Sequence, residues 1–138
     1  PKEGAGSEVI RLLRQGYAVG ILVDQSPREN GVPVSFFGQP CWGTVGPVMT
    51  AIRAKVPIHA VSLTRQDNGD YVLEIHAAVE IVRTDDLRAD LQENCQRCQN
   101  AVEAVVRQYP DQWLWVHRRW KARPRLEAEW GARKAKRD

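Results

Sequence analysis

Asp24 and Gln25 stand at the end of an apolar run, Ala18-Val19-Gly20-Ile21-Leu22-Val23. In an open α/β sheet, ligands bind in the crevice beyond the carboxyl ends of such strands. A carboxylate there can bind a metal, orient a base or grip a cation. With Ser26 and Pro27 next to it, it can equally cap a turn. The three histidines are the natural partners for acid–base work. His59 and His76 fall in strand-like runs, and the apolar neighbours of His59 favour a satisfied core or edge role. The residues five positions after His59, His76 and His117 are Thr64, Ile81 and Ala122, so no histidine is followed at that spacing by a carboxylate. HExxH, GxSxG and Walker sequences are absent. Gly31, Gly38, Gly43 and Gly46 lack the spacing of a nucleotide loop. Cys95-Gln96-Arg97-Cys98 has no second Cys or His pair to complete a zinc site, and both thiols fall on the apolar stripe of a long helix, which favours a core role. These residues contain no complete nucleophile–base or metal set.

The C-terminal stretch of the chain carries the strongest compositional signal. From His117 onward there are 9 basic and 3 acidic residues, against 11 and 14 before it. Arg118, Arg119, Lys121, Arg123 and Arg125 lie among Trp113, Trp115 and Trp120. Tryptophan with arginine suits an anionic membrane interface, and it also suits stacking and phosphate contacts on nucleic acid. A plainer reading has Trp113 and Trp115 packed on one face of a final strand that ends in a solvated basic stretch.

The elements that would position these residues follow from periodicity. Ser7 to Gln15 reads as an amphipathic helix stopped by Gly16. Ala18 to Val23 reads as a strand buried on both faces. Residues 24–46 read as one long connection, whose Phe36, Phe37 and Trp42 argue against disorder. Val48 to Ala54 reads as a helix opened by Pro47, and residues 57–63 as the next strand, joined to the first by a right-handed parallel crossover. Asn68-Gly69 predicts a tight hairpin turn before an alternating, half-buried strand over residues 71–75, with a further edge piece over 79–82. Leu87, Leu91, Cys95, Cys98, Val102, Val105 and Tyr109 recur at helical spacing over residues 86–108, and Pro110 ends that helix. Residues 126–138 read as a charged tail that frays. The expected fold class is α/β, with a mixed, largely parallel sheet flanked by helices. The 138 residues fit one domain, and the odd count of three cysteines argues for a reducing compartment.

Three pieces in order resemble the bacterial lipid A biosynthesis acyltransferases, the late lauroyl/myristoyl enzymes of the lysophospholipid acyltransferase superfamily. They are Asp24-Gln25 after an apolar strand, Phe36-Phe37-Gly38, and the run from Gln112 through Trp113-Leu114-Trp115-Val116-His117-Arg118-Arg119-Trp120 to Lys121. Order and spacing match across nearly all of residues 7–125, and the terminal run is highly specific.

The resemblance implies an activity: transfer of an acyl chain from acyl carrier protein to a hydroxyl of a lipid A precursor or related glycolipid. The site would be the cytoplasmic face of the bacterial inner membrane. The family's base is the histidine of a His-x-x-x-x-Asp/Glu motif near the start of the domain, after a membrane anchor. This sequence lacks that motif. It therefore resembles the C-terminal part of such an enzyme, residues 1–125, and is expected to be inactive alone. Asp24 then corresponds to a supporting acidic residue on the acceptor side, accompanied by Gln25. Phe36, Phe37 and Gly38 would shape the wall of the acyl or acceptor pocket. Pro57 resembles the opening of the superfamily's fourth motif, and Arg65 at the far end of that strand would meet a phosphate. Arg118, Arg119, Lys121 and Arg123 would face anionic headgroups or the acidic carrier protein. No metal or organic cofactor is expected. The competing expectation is a nucleic-acid-binding module built on the Trp/Arg tail. It leaves the strand, the loop aromatics and the hairpin without a shared purpose.

Overall fold

The computed structural model describes residues 5–135. Pro1 to Gly4 and the last three tail positions, 136–138, lie outside the described residues. Helix α1 (Ala5–Arg14) ends where Gly16 adopts a left-handed φ of 89°. There Gly16 N donates to Leu13 O and Tyr17 N to Leu12 O, at 3.1 Å each. This paired closure needs the positive φ that glycine supplies without strain. Strands β1 (Gly31–Phe36) and β2 (Gln39–Thr44) form an antiparallel hairpin. Helix α2 (Gly46–Ala54) follows, with Pro47 in its first turn. Strands β3 (His59–Arg65) and β4 (Tyr71–Ala78) form a second antiparallel hairpin. Helix α3 (Leu87–Gln108) is capped by the Asp86 carboxylate, which accepts from Arg88 N and Ala89 N at 3.1 Å. A 3-10 turn (Pro110–Gln112) leads into an irregular segment, and α4 (Pro124–Ala135) ends the described chain.

The core lies where α2 and α3 close over the β1–β2 hairpin. Val32, Val34 and Phe36 point inward from alternate positions of β1, meeting Cys41, Val48, Cys95, Cys98 and Val106. Both cysteines of the CxxC sequence are buried, as the helical stripe predicts. Burial pushes the thiol of Cys95 up to about 12 and that of Cys98 to about 11.

Five expectations need correction. Among the described residues there is no parallel strand pair, only the two separate hairpins; the mixed α/β content is present, but the parallel sheet and its crossover are not. The run from Ala18 to Val23 is extended but joins no ladder, and Ile21 and Leu22 are exposed. A strand buried on both faces needs neighbours on either edge, and nothing in the described residues supplies them. The long connection over 24–46 contains the β1–β2 hairpin. Pro33 and the glycines mask its alternation, yet Pro is tolerated on an edge strand. Residues 113–117 form no strand, and residues 79–82 add no edge strand: Asn94 holds Val82 by both its N–H and its C=O at 2.8 Å. Two smaller differences accompany these. β4 is exposed along most of its length rather than half-buried. Residues 126–135, expected to fray, continue α4, and Leu126 is buried.

Candidate functional site

The apolar run ends in a turn gripped from four sides. Gln99, a buried amide on α3, donates from Nε2 to Val23 O at 3.1 Å. Trp113 donates its indole N–H to Asp24 Oδ2 at 3.1 Å. His117 Nε2 bonds Asp24 O at 2.8 Å, while its Nδ1 lies 2.5 Å from Leu114 O. Arg123 donates from Nε to Ser26 Oγ at 3.0 Å and from its terminal nitrogen to Ser26 O at 2.8 Å. The backbone from Val23 to Ser26 is thus held at three carbonyls, those of Val23, Asp24 and Ser26, and at one carboxylate. A hydrogen bond to a charged group contributes about 1.5–3 kcal/mol, so the Trp113–Asp24 bond alone makes the turn rigid on the scale of thermal energy.

Arg119 forms the floor of this clamp. It is fully buried (0 %) and donates to Trp42 O and to Gln99 Oε1, both at 2.7 Å. Its guanidinium lies 5.3 Å from the Phe36 ring centroid. Burial pushes its proton affinity below the usual arginine range, and Cys41 and Asp24 act the other way. Around it Phe36, Trp113 and Trp120 pack at centroid distances of 5.5–6.5 Å. Trp120 also donates its indole N–H to Phe36 O at 3.2 Å.

The expected site residues therefore separate into two groups. Asp24, Phe36, Arg119 and Arg123 come together in or beside the clamp. Phe36 is fully buried (0 %), so its ring belongs to the core and lines no open pocket. Arg119 cannot present its charge to a headgroup from a fully buried position. Arg123 is half-buried and committed to Ser26. Gln25, Arg118 and Lys121 are exposed. Phe37 and Gly38 are the two central residues of the β1–β2 turn, with φ of 52° and 71°. Two positive φ values suit a two-residue hairpin turn, but at Phe37 they cost strain. Neighbours hold Phe37 in place: Glu103 accepts from its N–H at 2.6 Å, Arg107 lies 4.7 Å from its ring centroid, and Trp115 packs at 5.7 Å. Arg65 lies apart from the clamp. Its side chain is exposed, while Gln112 pairs with its backbone N–H and C=O at 2.8 and 3.0 Å.

Trp113, His117, Gln99 and Ser26 are the residues that sequence reasoning did not assign to the site. Gln99 carried a signal, since it is a polar residue beside Cys98 near the buried stripe of α3. His117 has no carboxylate five residues on, and it enters the site instead as an anchor of the Asp24 carbonyl. A second polar chain runs across β3 and β4. Ser62 Oγ lies 2.9 Å from His76 Nε2, and Glu74 lies 3.7 Å from His76 Nδ1. Its connectivity is that of a nucleophile, base and carboxylate. Ser62, however, is buried on the face of β3 that neighbours α3, so this chain ties the hairpin together. A cavity of about 570 Å³ lies elsewhere, between α1 and α2, lined by Ser7, Ile10, Arg11, Arg14, Gln15 and Arg53. Among the described residues no group of three His, Cys, Asp or Glu side chains could hold a metal ion, and no helix is long and apolar enough to cross a membrane.

The turn is thus gripped by Gln99, Trp113, His117 and Arg123, with the buried Arg119 and the Phe36, Trp113 and Trp120 rings behind it. The chain matches the family model for bacterial lipid A biosynthesis acyltransferase over residues 1–122, and it belongs to that family. No individual curated protein matches it.

Proposed function

We propose that this chain is the acceptor-side part of an acyltransferase that moves a fatty acyl group from acyl carrier protein to a hydroxyl of a lipid A precursor or related glycolipid. One observation carries the reading: the family match, over residues 1–122, spans the Asp24–Gln25 turn and every member of its clamp except Arg123. In this reaction the acceptor hydroxyl oxygen attacks the thioester carbon, its proton passes to a base, and the thiol of the carrier leaves. A base and oxyanion donors are required. None of the three histidines here has a carboxylate at the spacing of the family's catalytic pair. The base is therefore assigned to residues outside this sequence, and the chain alone is inactive.

Phosphates on the acceptor call for exposed cations. Arg65, Arg118 and Lys121 are exposed, and we assign them to phosphate, headgroup or carrier contacts at the cytoplasmic face of the inner membrane. Phe37 and Gly38 are assigned to the wall of the acyl or acceptor site. The test is acyl transfer from radiolabelled acyl carrier protein to a tetra-acylated lipid A precursor by the intact gene product, with this chain alone as the control. Transfer by the intact product and none by the chain supports the proposal. Transfer by neither overturns it. A coding sequence that supplies no His-x-x-x-x-Asp/Glu pair overturns the assignment of the base.

A further inference from the structure

We propose that Asp24 is the internal counter-charge of Arg119, a positioning residue, and that Gln25 is the group of this turn that meets substrate. The second half rests on the acyltransferase reading; the first stands on the structure alone.

Asp24 is half-buried. One carboxylate oxygen accepts from Trp113, and the other, Oδ1, is buried without a hydrogen-bond partner. Oδ1 is thus turned into the protein, and Oδ2 is taken by the indole. Arg119 is fully buried, and its Nε is likewise without a partner. Its two terminal nitrogens reach only neutral acceptors, Trp42 O and Gln99 Oε1. A guanidinium taken wholly out of water with neutral partners alone carries a large desolvation penalty, and a nearby negative charge offsets it. Asp24 is the carboxylate whose charge acts on Arg119. Two connections hold the charges in the same place. Gln99 links the guanidinium to Val23 O, one residue before Asp24. His117, two residues before Arg119, bonds Asp24 O. Among the described residues, the two unpartnered buried side-chain atoms are thus opposite in sign and belong to one cluster.

Gln25 is the contrast. Its neighbours Val23, Asp24 and Ser26 are each tied inward, whereas Gln25 is exposed, and among the described residues no side chain or backbone group engages its amide. A rigid turn that leaves one amide outward presents a donor and an acceptor in fixed positions. A primary amide of this kind suits a sugar hydroxyl or an acyl-amide of a glycolipid.

A melting cycle and a kinetic split test the two halves. Asp24→Asn keeps the shape and an acceptor for Trp113 while removing the charge. It should lower the melting temperature by roughly 10 °C, as loss of one partner of a buried pair does. Arg119→Met should do the same, and the double variant should recover more than half of the summed loss. A neutral Asp24→Asn, or losses that simply add, overturns the pairing. Trp113→Phe, which removes the indole bond but keeps both charges, separates the two contributions should Asp24→Asn fail to fold. Gln25→Ala should melt within about 2 °C of wild type. In the intact enzyme it should raise KM for the acceptor about tenfold and change kcat less than twofold. An unchanged KM overturns the role of Gln25. If the wild-type intact enzyme transfers no acyl group, the acyltransferase reading fails and the Gln25 role fails with it, while the melting cycle still decides the Asp24–Arg119 pairing.

Discussion

The two hairpins are built alike and treated oppositely by the rest of the chain. β1–β2 buries Val32, Val34, Phe36, Cys41 and Trp42 beneath α2 and α3. β3–β4 turns Val61, Leu63, Leu73 and Ile75 outward, each 55–66 % exposed, in register as Val61 opposite Ile75 and Leu63 opposite Leu73. An apolar sheet face of this size is unusual on a monomer. Tyr17, Ile21 and Leu22 are exposed as well. One region satisfies its own polar and apolar groups. The other keeps its hydrogen bonds but leaves its hydrophobic face uncovered. β3–β4 is anchored through the buried Ser62 and Thr64 face beside α3, while its apolar face adds little, so burial decides which hairpin carries stability.

Substitutions can break this contrast. The largest effect is expected at Phe36. Phe36→Ala removes a fully buried ring and should cost about 3–5 kcal/mol in denaturant titration, whereas Leu63→Ala, at a side chain already mostly in water, should stay within about 0.5 kcal/mol. Trp113→Phe keeps the packing but removes the indole bond to Asp24, and should cost about 1.5–3 kcal/mol by the same measurement. Amide hydrogen exchange sharpens the comparison without mutation. Among the described residues, the amides of residues 18–22 find no backbone acceptor, and they should exchange orders of magnitude faster than those of Val32 and Val34.

The smallest effects concern pH. Burial acts to raise the Glu103 carboxyl, but the Phe37 N–H and Arg107 outweigh it and hold it below its ordinary value. A depressed carboxylate stabilises the fold above the ordinary carboxylate range, and that contribution is lost as pH falls through the lowered value. Glu103→Gln should therefore flatten the acid limb of the stability profile by a small amount, since exposed pairs are weak. With thiols pushed up to about 12 and 11, Cys95 and Cys98 should resist a disulfide reagent at pH 8 and react once the chain is unfolded.

Much of the secondary structure is legible in the residues. The α3 stripe and its stop at Pro110 follow from local rules, as does the Asn68-Gly69 turn, whereas the cap falls at Asp86 rather than at Thr84 or Asp85. Residues 18–23 mislead because an all-apolar run reports what a segment needs on its faces, not whether neighbours are present to provide it. The β1–β2 hairpin is hidden by Pro33, which reads as a breaker unless the strand is known to lie on an edge. The basic run at 117–123 is legible as chemistry but not as direction. Arg119 and Arg118 are adjacent in sequence, yet one is fully buried and the other exposed. Only the path of an irregular segment across Trp42 and Gln99 separates them. Asp24 likewise shows its importance by position, while its partners lie about 75–100 residues away.

Three side-chain amides grip extended backbone in the same way. Gln96 takes the N–H and C=O of Ser35, Gln112 those of Arg65, and Asn94 those of Val82. Each grips peptide groups that every residue except proline can offer, so these attachments do not depend on what Ser35, Arg65 or Val82 carry as side chains. The gripped segments can therefore drift in sequence at those three positions while the amides cannot. A carboxylate in place of an amide keeps the acceptor but loses the donor, and it sets a negative oxygen against a carbonyl. Mutational tolerance should accordingly be lopsided: permissive at Ser35, Arg65 and Val82, strict at Asn94, Gln96 and Gln112, and strictest toward Asp and Glu.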